Sequence, residues 1–132
     1  MYKRRKAKVV YFAKQAVGGD SAISVQSMCN TKTENVKATV KQIKELEELG
    51  CEIIRVAVPD EKAAAALSEI KNRINIPLVA DIHFDYQLAL MSVENGVDAL
   101  RINPGNIGSD QRVKEVALAC KKNKIPIRVG SN

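Results

Sequence analysis

Short apolar runs alternate with helix-like segments along most of this chain, and each run closes on polar or charged residues. These closing residues are Gln26 with Ser27, Arg55, Asp81 with His83, Arg101 with Asn103, and Arg128 with Asn132. Strand and helix patterns that alternate with short connections specify a mostly parallel sheet wrapped by helices. In parallel α/β folds ligands sit at the C-terminal ends of the strands, so a row of charges at those positions reads as a binding mouth.

Residues 23–28 read as the first strand of the repeat. Thr31 and Glu34 have the spacing of a capping box, and Val36, Val40, Ile43 and Leu46 recur at helical intervals until Gly50, which predicts a helix over about 34–49. Residues 53–58 form a second strand, and Pro59 with Asp60 opens a helix whose apolar face carries Ala64, Leu67 and Ile70. The third strand covers 78–82, Asp85 caps a helix that ends at Gly96, and the fourth strand covers 99–102. Ser109 or Asp110 caps a last helix that turns Val113, Val116 and Cys120 inward, ahead of a fifth strand over 125–129. Upstream, residues 8–17 and the Gly18-Gly19 turn predict a hairpin that leads into the first strand and plugs a barrel floor.

Two architectures fit this order. At 132 residues the chain is too short for a complete eight-stranded barrel, which needs roughly 250. The expectation is the first five βα units of a (β/α)8 TIM-type barrel, with a basic tail and hairpin over 1–19 and a partial substrate-binding barrel over 20–132. The alternative is a five-stranded doubly wound parallel sheet. Such a sheet normally adds a helix after its fifth strand, and its strands, buried on both faces, are uniformly apolar. Here polar residues recur at i and i+2, on one face. Asp81 with His83 and Arg101 with Asn103 are such pairs, as expected for inward-facing layers near a barrel mouth.

The net charge of +6 is located in the tail: Lys3, Arg4, Arg5, Lys6 and Lys8 leave 16 basic against 15 acidic residues elsewhere. A solvated terminus accounts for that run, and Tyr2, Tyr11, Phe12, Phe84 and Tyr86 are too few aromatics for a single-strand stacking platform, so no nucleic acid is expected as a partner. No run has the length of a secretory core or a membrane span, and a cytoplasmic protein without membrane contact is expected. Cys29, Cys51 and Cys120 are odd in number and lack C-x-x-C spacing, so reduced thiols are expected, and with one histidine they form no metal set.

Arg55, Arg101 and Arg128 lie on the second, fourth and fifth strands, and Asp81 is the sole acidic residue among the strand ends. A guanidinium cannot shed its proton, so an inward-facing arginine demands a carboxylate or a bound anion. Three such charges against one carboxylate leave room for about two further negative charges, which a phosphorylated ligand would supply. The competing placement turns some arginines outward to pair with helix carboxylates. The loop from Asn103 to Gly108 offers backbone N–H groups to phosphate oxygens, although ordinary turns use the same residues. His83 beside Asp81 suits a general acid or base, a donor to phosphate, or a buried histidine held by the carboxylate. Gln26, Ser27 and Asn30 suit neutral hydrogen bonds to a polyol, and Cys29 and Cys51 suit small packing residues.

The strings Val25-Gln26-Ser27-Met28, Asn30-Thr31, Arg55-Val56-Ala57-Val58-Pro59, Val79-Ala80-Asp81-Ile82-His83-Phe84, Arg101-Ile102-Asn103-Pro104-Gly105-Asn106-Ile107-Gly108 and Ile127-Arg128-Val129-Gly130 together resemble the 4-hydroxy-3-methylbut-2-enyl diphosphate synthases of non-mevalonate isoprenoid biosynthesis. Cys29 departs from the family's threonine and Ser131 from an apolar residue. The resemblance implies a barrel that binds methylerythritol cyclodiphosphate. Its diphosphate would rest on Arg55, Arg101 and Arg128, with Asn103 and Asn132 nearby and Asp81 and His83 lining the same mouth as candidate catalytic groups. It further implies an oxidoreductase that opens and dehydrates the cyclic diphosphate, with electrons from ferredoxin or flavodoxin entering through a four-iron four-sulfur cluster. The cluster's ligands would lie in a C-terminal domain outside these residues, the full-length protein would be a homodimer, and this chain by itself would be inactive. A non-catalytic phospholigand-binding module and a pterin-binding barrel of the dihydropteroate synthase type are the alternatives.

Overall fold

The computed structural model describes residue 3 and residues 5–131, so the candidate Asn132 lies outside the described residues. The elements run β1 (Val10–Phe12), β2 (Gln15–Val17), β3 (Gln26–Met28), α1 (Val36–Glu48), β4 (Ile53–Ala57), α2 (Glu61–Arg73), β5 (Leu78–Ile82), α3 (Tyr86–Glu94), β6 (Ala99–Ile102), α4 (Pro104–Ile107), α5 (Asp110–Lys122) and β7 (Ile127–Val129). The first two strands pair antiparallel, and the other five form one parallel sheet in the order β3-β4-β5-β6-β7.

Because the spatial order repeats the chain order, the sheet has no reversal, and right-handed crossovers place every helix on the same face. Neighbouring helices meet in sequence, α1 on α2, α2 on α3 and α3 on α5. A doubly wound sheet reverses its strand order and carries helices on both faces. That alternative is therefore excluded, and the fold is α/β of the TIM-barrel type with an N-terminal hairpin.

Side chains on a strand alternate between faces, and the two faces here have separate cores. On the helix side Ile54, Val56, Leu78, Ala80, Ile82 and Leu100 pack against Ile43 of α1, Leu67 and Ile70 of α2, Leu88 and Val93 of α3 and Val116 of α5. Full burial of each such aliphatic side chain stabilises by roughly 1.5–3 kcal/mol. On the other face Ile53, Val79 and Ala99 pack with Phe12, and Val17 joins them, so the hairpin seals the N-terminal end of the barrel interior. This is the floor that the sequence led one to expect.

Local chemistry sets the helix starts. Asp60, Asp85 and Ser109 cap α2, α3 and α5 by accepting from the backbone N–H of Ala63, Gln87 and Arg112. The expected capping box before α1 does not form. Asn35 caps that helix by accepting from Ala38 N–H, while the Thr31 hydroxyl meets the Thr39 hydroxyl at 2.8 Å. Asn35 directly precedes the first helical turn and reaches its third amide; Thr31 is a full turn too early. The first strand of the sheet is also shorter than expected, Gln26–Met28: among the described residues no strand pairs with its outer side, and Ile23 is 94 % exposed and Val25 53 % exposed.

Candidate functional site

Register places the charged residues. Met28 lies opposite Arg55, Ala57 opposite Asp81, Asp81 opposite Arg101, and Arg101 opposite Arg128. On their own strands Arg55, Asp81 and Arg101 share the face of Ile53, Val79 and Ala99, each two residues further toward the C-terminal end. The interior is thus apolar at its floor and cationic at its mouth. The chain's alternation makes this layering inevitable, because a residue two positions beyond an inward valine also points inward.

Asp81 stands at the centre. Its side chain is 3 % exposed, and it receives Arg55 Nε on Oδ2 at 3.4 Å, Arg101 Nη1 on Oδ1 at 3.4 Å and His83 Nε2 on Oδ2 at 3.3 Å. The Arg55 Nε–H is buried but poorly aimed at that carboxylate, and it has no hydrogen-bond partner among the described residues. Its Nη2 lies 3.3 Å from the Met28 sulfur, a weak acceptor. Both arginine side chains are three-quarters or more shielded from solvent, so their charges are costly unless an anion compensates them.

Arg128 reaches across the interior. Its Nη1 donates to Gln26 Oε1 at 3.2 Å, joining the two edge strands β7 and β3. In a flat sheet these strands would stand four spacings apart, about 19 Å, more than the two side chains can span. The contact therefore reports strong curvature, as in a barrel wall. Among the described residues no carboxylate lies within ion-pair distance of Arg128.

The structure thus brings Arg55, Asp81, His83 and Arg101 into one cluster, with Arg128 and Gln26 beside it. His83 is half exposed and, with Asp81, lines a cavity of about 140 Å³ that Ala57, Pro59 and Phe84 also border. Two expectations change. Asn103 turns its Oδ1 onto Gly105 N–H as the cap of the one-turn helix α4, so the loop from Asn103 to Gly108 is wound up rather than open, and that N–H is already taken. Asn30 is engaged by Gln42, which accepts from its backbone N–H and donates to its Oδ1. Both amides find local partners sooner than a distant ligand. Met28 escaped the sequence reading as a site neighbour, although its parity with Gln26 was an available signal; its register with Arg55 is set by the strand pairing.

The cysteines do not fit an iron–sulfur cluster. Cys29 follows β3, Cys51 precedes β4 and Cys120 lies on α5, each buried among apolar side chains, and no metal-ligand group of three exists among the described residues. Burial pushes the Cys29 and Cys120 thiols up to about 11, and the neighbouring Cys51 adds to the effect at Cys29. A cluster requires thiolates, and this setting disfavours them. No helix among the described residues is long and apolar enough to cross a membrane.

Residues 7–132 match the family model described as the GcpE TIM-barrel domain. Among curated proteins the chain is similar to the 4-hydroxy-3-methylbut-2-en-1-yl diphosphate synthase (flavodoxin) of Caldanaerobacter subterraneus subsp. tengcongensis, 59 % identical over 133 residues, covering 100 % of this chain and 38 % of the relative. Proteins of the same name from Clostridium perfringens and Lysinibacillus sphaericus are 58 % and 61 % identical, covering 98 % and 88 % of this chain and 37 % and 31 % of the relatives. The chain spans less than two fifths of the length of these relatives. With the family model covering nearly every residue and the parallel, one-sided sheet matching its barrel, the chain belongs to the GcpE TIM-barrel domain family.

Proposed function

We propose that this chain is the substrate-binding barrel portion of a 4-hydroxy-3-methylbut-2-en-1-yl diphosphate synthase, and that its mouth takes the diphosphate of methylerythritol cyclodiphosphate. The observation that carries this reading is the imbalance around Asp81: one buried carboxylate is shared by Arg55 and Arg101, while Arg128 meets only a neutral amide among the described residues. A diphosphate offers what this cluster lacks, several anionic oxygens able to accept paired guanidinium N–H groups. Arg55, Arg101 and Arg128 bind and orient the anion. Asp81 holds two of them in place, His83 donates to or exchanges a proton with the bound ligand, and Asn103 flanks the site.

The reaction of this enzyme class is a reductive opening and dehydration of the cyclic diphosphate. Its electrons would enter through a four-iron four-sulfur cluster, which Cys29, Cys51 and Cys120 do not fit. The barrel's part is therefore to bind the substrate, fix its orientation and exclude water, and the reductive step belongs with residues outside this chain. The relatives' names specify flavodoxin, and we extend that donor class to the whole protein, with ferredoxin as the alternative. A cytoplasmic homodimer completes the proposal.

Calorimetric titration with inorganic pyrophosphate tests the reading. Each charge-assisted hydrogen bond contributes roughly 1.5–3 kcal/mol, so Arg101→Ala should weaken binding at least about tenfold. Equal affinity in the two proteins would remove Arg101 from the site.

A further inference from the structure

Gly130 follows β7 at the mouth, where its N–H donates to Ile102 O at 2.9 Å and continues the ladder with β6. Its φ lies outside the left-handed region, unlike that of Gly18, Gly19, Gly50, Gly96 and Gly108. Backbone conformation therefore does not require glycine at this position. A glycine in extended structure is, moreover, a liability, because it loses more freedom on folding than alanine and packs nothing. What requires it is a neighbour. A Cβ built on Gly130 would lie 2.6 Å from Arg101 Nη2, 2.8 Å from Nε and 3.0 Å from Cζ. All three atoms belong to the guanidinium, so the group lies directly over the bare backbone of residue 130.

We infer that Gly130 is a positioning residue for Arg101: its missing side chain is the seat in which the guanidinium rests, aimed at Asp81 and at the anion held in the mouth. The other side of Arg101 is set by Asp81, 3.4 Å from Nη1. With a carboxylate on one side and a Cβ-free backbone on the other, the planar group has a defined place. Any side chain at 130 pushes the guanidinium out of that place. A planar, bidentate donor loses more from such a displacement than a flexible ammonium would, because its N–H bonds point in fixed directions. The ligand side of this inference rests on the diphosphate reading of the mouth, whereas the steric side does not.

A two-by-two set of variants separates the two: wild type, Gly130→Ala, Arg101→Ala and the double variant, each measured for pyrophosphate affinity by calorimetry and for thermal midpoint without ligand. The expected result is an affinity loss of about tenfold for Gly130→Ala when Arg101 is present, and less than twofold when residue 101 is alanine. The thermal midpoint should likewise depend on the background: with the guanidinium gone, Gly130→Ala should raise it, since only the entropic benefit of alanine remains. Equal effects of Gly130→Ala in both backgrounds, on affinity and midpoint alike, would overturn the inference. So would failure of the variant to fold in both, since glycine would then serve the fold rather than Arg101. Failure to fold only with Arg101 present would support it. If Arg101→Ala leaves pyrophosphate binding unchanged, the diphosphate reading falls, and the thermal midpoints still decide the role of Gly130.

Discussion

Asp81 and Arg101 face each other at one register on the adjacent parallel strands β5 and β6, with Arg101 Nη1 3.4 Å from Asp81 Oδ1. Arg55 approaches the same carboxylate from β4, on the other side. A single central acid thus holds two outlying cations in the barrel interior, and each of them would be a buried, uncompensated charge without it.

Asp81→Asn should therefore destabilise the protein by about 1–3 kcal/mol, less than for a fully buried pair because both arginines keep some solvent contact. Pyrophosphate should raise the variant's thermal midpoint more than the wild type's, since it would supply the missing negative charge. Denaturant titration and thermal scans with and without pyrophosphate provide the check; a variant as stable as wild type would show that Asp81 does not compensate the arginines.

Phe12→Ala should cost about 3 kcal/mol in denaturant unfolding. Phe12 is the hairpin's anchor on Ile53, Val79 and Ala99, and removing a buried phenyl ring loses its transfer energy and leaves a cavity. Faster amide exchange over β1 and β2 should accompany the loss, because little else attaches the hairpin to the interior face. An unchanged exchange pattern would refute the assignment of the hairpin as the floor.

The buried thiols of Cys29 and Cys120 ionise near pH 11 in the folded chain, against an ordinary value of 9.0. The raised value means that the folded state holds the proton more tightly. This contribution to stability is fully present below pH 9 and is lost as the pH rises through about 11. The loss should be on the order of 2 kcal/mol per thiol. Native-state alkylation should be very slow at pH 8 and accelerate as the pH approaches 11; rapid labelling of both residues at pH 7 would contradict their burial.

Gly108→Ala should destabilise by about 1–3 kcal/mol. Its φ of +124° is a conformation that residues with a Cβ rarely adopt, and a Cβ there would lie 2.9 Å from Arg112 Cδ. Arg112 in turn stacks over the Tyr86 ring at 5.0 Å, so the displaced arginine would lose that contact as well. Urea denaturation of Gly108→Ala and Arg112→Ala gives the comparison; an unchanged midpoint for Gly108→Ala would show that the turn relaxes freely.

The alternation of apolar runs and helical segments, the caps at Asp60, Asp85 and Ser109, and the inward parity of Arg55, Asp81, Arg101 and Arg128 were all determined by the sequence itself. These are local properties, since side-chain direction alternates along a strand and a cap depends on residues within one turn of it. Which amide caps α1, whether Asn30 and Asn103 are free, and how far the first strand extends were decided only by the tertiary structure. Each depends on a competition among several available partners, and its outcome follows from packing. The reach of Arg128 to Gln26, and the fit of Arg101 over Gly130, are further still from sequence. The first depends on the curvature accumulated over five strands, to which each strand contributes only a small twist, and the second on how the end of β7 lies against β6.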